Sequence, residues 1–359
     1  MLLAFWLATF VQLIFWIALF GRLAFKKKPP PGRSPLPPLS VVICARNEAI
    51  KLAARLPAVL GQDYPDFEVI VVDHASTDDT PDVLQGLSAR FPYLKIIACP
   101  DERPGKKIPL ALGIAHARHE WVVLTDADCR PASPDWLRHL AARIESSVEV
   151  VLGYGPLERQ PGILNAFARF ETAITAIQYF SYALAGIPYM GVGRNLAYRK
   201  AALGRLDPSA HRDLLSGDDD LTVNALAHAG NTKILLHPDS FCWSPAPEGF
   251  GAFFRQKSRH LSASPRYKPL HKMLLGAWAL SFLGHYGLGI LAVLGGSWAP
   301  VLLGYGLRQI LIFFLFLRLS RLFEVQDLRW KLPLLDLSLF VYYLVLAPTI
   351  WWGPRKKWG

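Results

Sequence analysis

The chain has 359 residues, a net charge of +11 and a hydrophobic share of 52%, which is too apolar for an ordinary soluble enzyme of that size. Its basic residues gather beside apolar runs, where anionic lipid headgroups account for them, and no nucleic-acid-binding signature accompanies them, so DNA and RNA are not expected partners. Four scattered cysteines (Cys44, Cys99, Cys129, Cys242) make no C-x-x-C pair and read as reduced, mostly buried small residues rather than a disulfide frame or a zinc site.

Met1 to Phe20 carries no charged residue and, at roughly twenty residues, is long enough to cross a bilayer. It lacks the basic n-region and cleavage site of a secretory signal, so residues 1–22 read as a retained transmembrane helix. Arg22 and Lys26-Lys27-Lys28 follow, and residues 23–38 form a basic, proline-rich linker. Basic flanks mark the cytoplasmic side of a span, which places the next domain, residues 39–252, in the cytosol.

That domain alternates short apolar runs with helical stretches. Leu39 to Cys44, Glu68 to Val72, Lys95 to Ala98 and Trp121 to Leu124 are predicted strands, and Ala49 to Leu60, Thr80 to Arg90 and Leu110 to Arg118 are predicted helices. This rhythm predicts an α/β fold, a mostly parallel sheet with helices on both faces. Polar residues then fall at strand ends. Arg46, Asn47 and Glu48 follow the first strand and Asp73 the second. Thr77 to Asp79 suit a turn and helix cap before Pro81. Gly105-Lys106-Lys107 precedes a helix, where a phosphate could meet both an amine and the helix terminus; a solvated lysine pair fits equally.

The fourth strand ends in Asp126-Ala-Asp128. Side chains alternate along a strand, so the two carboxylates can lean the same way, outside the carboxyl end where open α/β sheets bind ligands. A hard divalent cation would relieve their repulsion; the spacing alone also suits an acidic turn. Farther on, Asp218-Asp219-Asp220 open a helical run, Leu221 to Ala229. Mutual repulsion there would raise at least one carboxyl toward the range of a general base.

The segment from Leu157 to Tyr189 could form an interfacial helix lining an acceptor site. Residues 253–272 read as an amphipathic interfacial stretch, with Arg255, Lys257, Arg259, Arg266, Lys268 and Lys272 on the cytosolic side. About three spans occupy residues 273–352: Met273 to Gly296, Trp298 to Leu317 and Leu332 to Trp352. Arg308 lies inside the second, where a charge is costly and faces protein or water. Three spans would carry the basic tail, 353–359, to the far side, which the charge rule disfavours: either the last segment is re-entrant or interfacial, or a short tail escapes the rule.

Taken in order, these residues resemble the membrane-anchored inverting glycosyltransferases of family 2, the GT-A-fold group that includes cellulose, chitin and hyaluronan synthases and ceramide glucosyltransferase. Val41 to Glu48 resembles the family's opening strand, with Cys44 in place of the usual proline; Asp73 matches the aspartate that recognises the base, with His74 where a second aspartate is common. Gly105-Lys106 resembles the G-K segment, Asp126/Asp128 the D-x-D, and Gly193-Arg194-Asn195 the loop near the acceptor. Ser216 to Leu221 corresponds to the segment carrying the catalytic base; alignment on the glycine makes it Asp219, alignment on the leucine Asp218, and Asp219 is taken as the base. Gln256 to His260 resembles Q-x-x-R-W with His260 replacing tryptophan.

The resemblance implies a nucleotide-sugar donor, UDP-linked, bound by Arg46, Glu48, Asp73, Lys106 and Asp126, with Mg²⁺ or Mn²⁺ on Asp128 and Asp126. Gln256, Arg259, His260 and Asn195 would serve the diphosphate and acceptor, and Asp219, with Asp218 and Asp220 beside it, would accept a proton. The acceptor would be a membrane lipid or glycan at the cytosolic face of a bacterial inner membrane. Two alternatives stand: a processive polysaccharide synthase, which the loss of the stacking tryptophan at His260 disfavours, and a nucleotide-binding membrane scaffold without activity.

Overall fold

The computed structural model describes residues 1–27, 36–207, 217–346 and 348. Most of the proline-rich linker, Ser216, the side chain of Asp218, the end of the last expected span and the basic tail lie outside the described residues.

The elements run α1 (Leu2–Ala24), β1 (Leu39–Ala45), α2 (Ala49–Leu60), β2 (Phe67–His74), α3 (Thr80–Ser88), β3 (Leu94–Cys99), α4 (Lys107–His116) and β4 (Trp121–Leu124). They continue with β5 (Arg130–Pro131), α5 (Trp136–Ala141), β6 (Val150–Leu152), α6 (Ile163–Leu184), β7 (Leu196–Arg199), α7 (Asp218–Leu226), β8 (Thr232–Ile234) and β9 (Cys242–Trp243). The C-terminal part holds α8 (Gly249–Leu261), α9 (Pro269–Leu294), α10 (Trp298–Leu322) and α11 (Leu332–Leu346). The strand and helix alternation read from the sequence is present, with ends displaced by a few residues. The first helix after β3 starts at Lys107 rather than Leu110, and the helix of the acidic triplet starts at Asp218 and stops at Leu226.

The chain divides into two compact units. One comprises 29–158 and 188–246 and contains a seven-stranded sheet in the order β3-β2-β1-β4-β7-β6-β8. The first four strands are mutually parallel, whereas β7 runs antiparallel to both β4 and β6. Val41, Ile43, Val69, Val71 and Val123 point into one packed core with Leu52, Leu56 and Trp136, and Val42, Ile70 and Val72 are buried on the opposite face. Burial on both faces explains why these strands read as unbroken apolar runs rather than alternating ones. The chain leaves β1 first toward β2 and β3, then returns to place β4 on the other side. The reversal point lies between β1 and β4, and a crevice at the carboxyl ends of such strands is where this architecture binds ligands.

The other unit comprises 1–28, 159–187 and 247–353. Its α1, α9 and α10 are long and apolar enough to cross a membrane; α11 covers the described part, Leu332–Leu346, of the last expected span. Arg308 is fully buried and pairs with Asp336, whose carboxylate also accepts from Tyr286 at 2.5 Å and Gln309 at 2.8 Å. A second Arg308 nitrogen donates to Gln12 Oε1 at 3.2 Å, and Gln12 in turn donates to Ser281 Oγ at 2.9 Å. The charge thus faces protein: both terminal nitrogens of Arg308 and both Asp336 oxygens are bonded across the helices, while the buried Arg308 Nε has no partner among the described residues. The helix expected between Leu157 and Tyr189 is shorter, and α6 is buried along most of its length instead of lying half in an interface. Its Arg169 forms a bidentate pair with Asp327 at 2.8 and 2.9 Å, and its Glu171 pairs with Lys257 of α8.

Candidate active site

At the carboxyl end of β1 the backbone enters the left-handed region at Asn47 (φ 55°), a conformation asparagine tolerates better than most residues. Asn47 Oδ1 accepts the Thr77 N–H at 2.7 Å, and the Asn47 N–H donates to Ser76 Oγ at 3.0 Å. The Glu48 N–H donates to Thr80 Oγ1 at 2.9 Å and the Ala49 N–H to Asp78 Oδ2 at 3.2 Å. The capping residues expected to serve α3 therefore also hold the first turn of its neighbour α2, locking two strand-end loops together. Asp73 is the last residue but one of β2 rather than the residue after it, half-buried, and its carboxylate accepts the Ser76 N–H at 3.3 Å. Arg46 donates to the Glu102 carbonyl at 3.2 Å, and Glu48 pairs with Lys51 at 2.9 Å.

After β4 comes the buried Thr125, and the chain turns through Asp126, Ala127 and Asp128, closed by a Cys129 N–H bond to the Asp126 carbonyl at 3.0 Å. Potential ligand atoms of Asp126, Asp128 and Cys129 all lie within 4.8 Å of one another. Burial and the neighbouring Asp126 charge push the Asp128 carboxyl above its ordinary range, with Arg194 and Lys51 pulling the other way. Burial and the same two aspartates push the Cys129 thiol well up, so at neutral pH it is a thiol and not a soft anionic ligand. What remains is a pair of carboxylates crowded at one point. That oxygen set fits a hard divalent ion such as Mg²⁺ or Mn²⁺.

Lys106, just ahead of α4, pairs with Asp126. Burial opposes its charge, but Asp126, Cys44 and Asp219 outweigh burial and hold the ammonium above its usual range. The same lysine couples the strand-end carboxylates to the acidic triplet. Asp219 lies in the first turn of α7, after Gly217, whose φ of 89° favours glycine. Burial raises the Asp219 carboxyl, Lys106 lowers it and Asp126 raises it again. Its Oδ2 accepts the Gly193 N–H at 2.5 Å, and a Cβ on Gly193 would stand 2.6 Å from that oxygen, so only glycine allows this approach. Tyr198 O–H reaches the Asp219 carbonyl at 3.4 Å. Asp220 is half-buried one residue on.

Asn195 departs from the expectation of an acceptor contact. It is fully buried, with Nδ2 donating to the carbonyls of Tyr154 at 2.9 Å and Ser240 at 2.7 Å and Oδ1 accepting from Trp136 Nε1 at 3.0 Å. It braces the loop that presents Gly193 to Asp219. Arg194, beside it, has its guanidinium on Ser244 Oγ at 2.6 Å and its charge acting on Asp128. Sequence reasoning named Gly193 and Arg194 only as part of the loop near the acceptor and gave neither a role at the aspartates. The Gly-x-Asn spacing marked the loop, but nothing local showed which members face the aspartates. Gln256, Arg259 and His260 belong to the other unit. They lie on α8 at spacings of three and four residues and so share one helix face; Gln256 and Arg259 are half-buried and His260 is exposed.

The glycosyl transferase family 2 profile matches residues 40–204. Glycosyltransferase AglE of Haloferax volcanii is 33% identical over 230 residues, 63% of this chain and 72% of that protein. The chain belongs to glycosyltransferase family 2. Among other family 2 relatives, the probable glycosyltransferase YdaM of Bacillus subtilis is 26% identical over 62% of this chain and 54% of its own length. The poly-beta-1,6-N-acetyl-D-glucosamine synthase of Staphylococcus epidermidis is 25% identical over 62% and 53%. The chain thus spans about half the length of these two relatives. A mannosyltransferase from Pyrobaculum calidifontis, in complex with GDP-Man and Mn²⁺, superposes with a TM-score of 0.61 at 22% identity, over 91% of this chain and 97% of that one. The fold of this family 2 member is therefore GT-A, with Asp126 and Asp128 just past the end of the central strand β4.

Proposed function

We propose that the protein is a membrane-bound inverting hexosyltransferase that moves a sugar from a nucleotide-sugar, UDP-linked, to a membrane lipid or glycan at the cytosolic face. The observation that carries this reading is the charge cluster in which Lys106 joins Asp126, at the end of β4, to Asp219, at the start of α7. Asp128 and Asp126 would hold Mg²⁺ or Mn²⁺, which when bound neutralises charge on the departing diphosphate. Lys106 and Arg194 add fixed positive charge to the same region, so a leaving nucleoside diphosphate meets preorganised cations. Asp73, Arg46 and Glu48, on loops locked to each other, bind the nucleoside. Asp219, held by the Gly193 N–H, takes the proton from the acceptor hydroxyl as that oxygen bonds to the anomeric carbon. A single displacement, with no covalent sugar–enzyme intermediate, inverts the anomeric configuration.

Gln256 and Arg259 on α8 are assigned to the diphosphate, and Asp218 and Asp220 to the surroundings of the base. Single transfer is favoured over polymer synthesis because His260 replaces the tryptophan that would stack on a growing chain. Among the relatives, a polysaccharide synthase supports a glycan acceptor, and the mannosyltransferase carrying GDP-Man and Mn²⁺ supports a metal-held nucleotide-sugar.

The test uses the full chain purified in detergent with Mn²⁺ and a panel of UDP-, GDP- and CMP-sugars. Nucleotide release should occur with one UDP-sugar, disappear on chelation and disappear in Asp128→Ala. Turnover that survives Asp128→Ala, or none with any donor and a membrane-lipid extract, would overturn the reading. The radiolabelled product should migrate as one small glycolipid; a polymer ladder would refute single transfer.

A further inference from the structure

Away from the aspartate cluster, in the same unit, a second group of ligand atoms converges. His139 lies on α5, and His237 and Asp239 flank Pro238 in the short 3-10 turn that leads toward β9. One donor atom from each of the three lies within 4.8 Å of the other two. His139 Nε2 is 3.8 Å and His237 Nδ1 3.6 Å from Asp239 Oδ2. Ligands bound tetrahedrally at ~2.0–2.1 Å stand about 3.4 Å apart, so small rotamer adjustments would bring this trio to ligating geometry. The two imidazoles are stacked, centroids 4.2 Å apart and planes 22° from parallel.

The backbone that presents these groups is held on both sides. Ser133 Oγ donates to the Asp239 carbonyl at 2.9 Å, Ser240 Oγ to the His237 carbonyl at 2.7 Å, and the Ala132 N–H to the Phe241 carbonyl at 2.8 Å. The Asp239 N–H points at His237 Nδ1, 3.3 Å away. That nitrogen is therefore unprotonated, and a metal ion would take its lone pair in place of this long hydrogen bond. The rigid Pro238 between two ligands fixes their relative aim.

We infer that His139, His237 and Asp239 form a second metal site, for a borderline divalent ion of the Zn²⁺ class. Two imidazoles and one carboxylate are a nitrogen-rich set that suits zinc, nickel or copper, unlike the oxygen set of Asp126 and Asp128, which suits magnesium or manganese. Three protein ligands leave a fourth position for water. The bound ion ties α5 to the corner whose Ser240 carbonyl grips Asn195, and Asn195 in turn braces the loop that holds Asp219.

The experiment uses the full, tag-free chain in detergent, stripped with EDTA and then held in excess Mg²⁺, in wild-type and Asp128→Ala forms. Zn²⁺ titrated calorimetrically should bind one per chain in both, and should raise the thermal midpoint by mass action. Co²⁺ in its place should give the visible bands of a four-coordinate site. His139→Ala and His237→Gln should each weaken binding at least about tenfold and abolish the zinc-induced thermal shift, while Mn²⁺-dependent nucleotide release persists as proof of folding. The inference fails if wild type takes up no zinc, if zinc uptake is lost in Asp128→Ala, or if both histidine variants bind it as wild type does.

Discussion

Lys106 stands between two acids and sets the conditions under which either can work. Burial raises the Asp219 carboxyl and the lysine pulls it down, so the ammonium favours the ionised form that the proposed base requires. Activity should therefore fall as pH drops through this raised value. In Lys106→Met the acid limb should move to higher pH, because the charge that favoured the carboxylate is gone; a kcat/KM profile against pH, with the limb unmoved or moved down, would refute the coupling. Asp219→Asn should lower kcat by about 10²–10⁴-fold, the usual contribution of a positioned base, with folding checked by the thermal midpoint. Gly193→Ala makes a separate test of the hydrogen bond that aims the base. The added methyl meets the Asp219 carboxylate at 2.6 Å, and displacement by even 1 Å costs roughly 10²-fold in rate. Wild-type turnover in that variant would show that Asp219 need not be held where it is.

Among the elements, β1 and β2 depend on a polar clasp at their amino ends. Glu68 is buried and accepts from Ser40 Oγ at 2.6 Å and the Arg118 N–H at 2.7 Å, with Lys95 at 2.7 Å. Burial disfavours its charge, but Lys95, Ser40 and Arg118 outweigh burial and keep the carboxyl below its ordinary range. A depressed carboxyl contributes stability that is present above the unfolded value, about 4.3, and is lost as pH falls through the folded one. Glu68→Gln should cost about 1–3 kcal/mol at neutral pH and flatten the loss of thermal midpoint on acidification below pH ~4.3. An equally steep acid decline in the variant would assign that decline to other carboxylates. The crossed caps at the carboxyl ends of the same strands, Asp78 and Thr80 on α2, tie the two strand-end loops into one pair.

The chain as a whole combines a GT-A domain with apolar helices able to anchor it in a membrane, and a buried ion pair sits among those helices. Removing one partner of such a pair strands the other charge, which costs about 3–5 kcal/mol, whereas replacing both with apolar residues is often neutral. Arg308→Leu should thus depress the thermal midpoint in detergent sharply, and Arg308→Leu combined with Asp336→Leu should recover most of the loss. A double variant as unstable as the single one would mean that the pair does more than neutralise itself.

Local chemistry alone made much of this protein legible. Unbroken apolar runs identified central parallel strands, their spacing set the α/β rhythm, and Asp73, Asp126 and Asp128 were visible as strand-end carboxylates because strand ends are marked by where the apolar run stops. Length and charge marked the apolar segments in the same way. The tertiary structure decided the pairings: Lys106 with Asp126, the Gly193 N–H with Asp219, Arg308 with Asp336, and the antiparallel entry of β7 beside β4. It also turned Asn195 inward as a brace and gave Asp78 a second helix to cap. Periodicity and turn propensity act over a few residues and leave a trace there. A contact between positions 20 to 30 apart exists only once the sheet has fixed its register and the helices their rotation, and the residue types alone do not encode which partner each charge will meet.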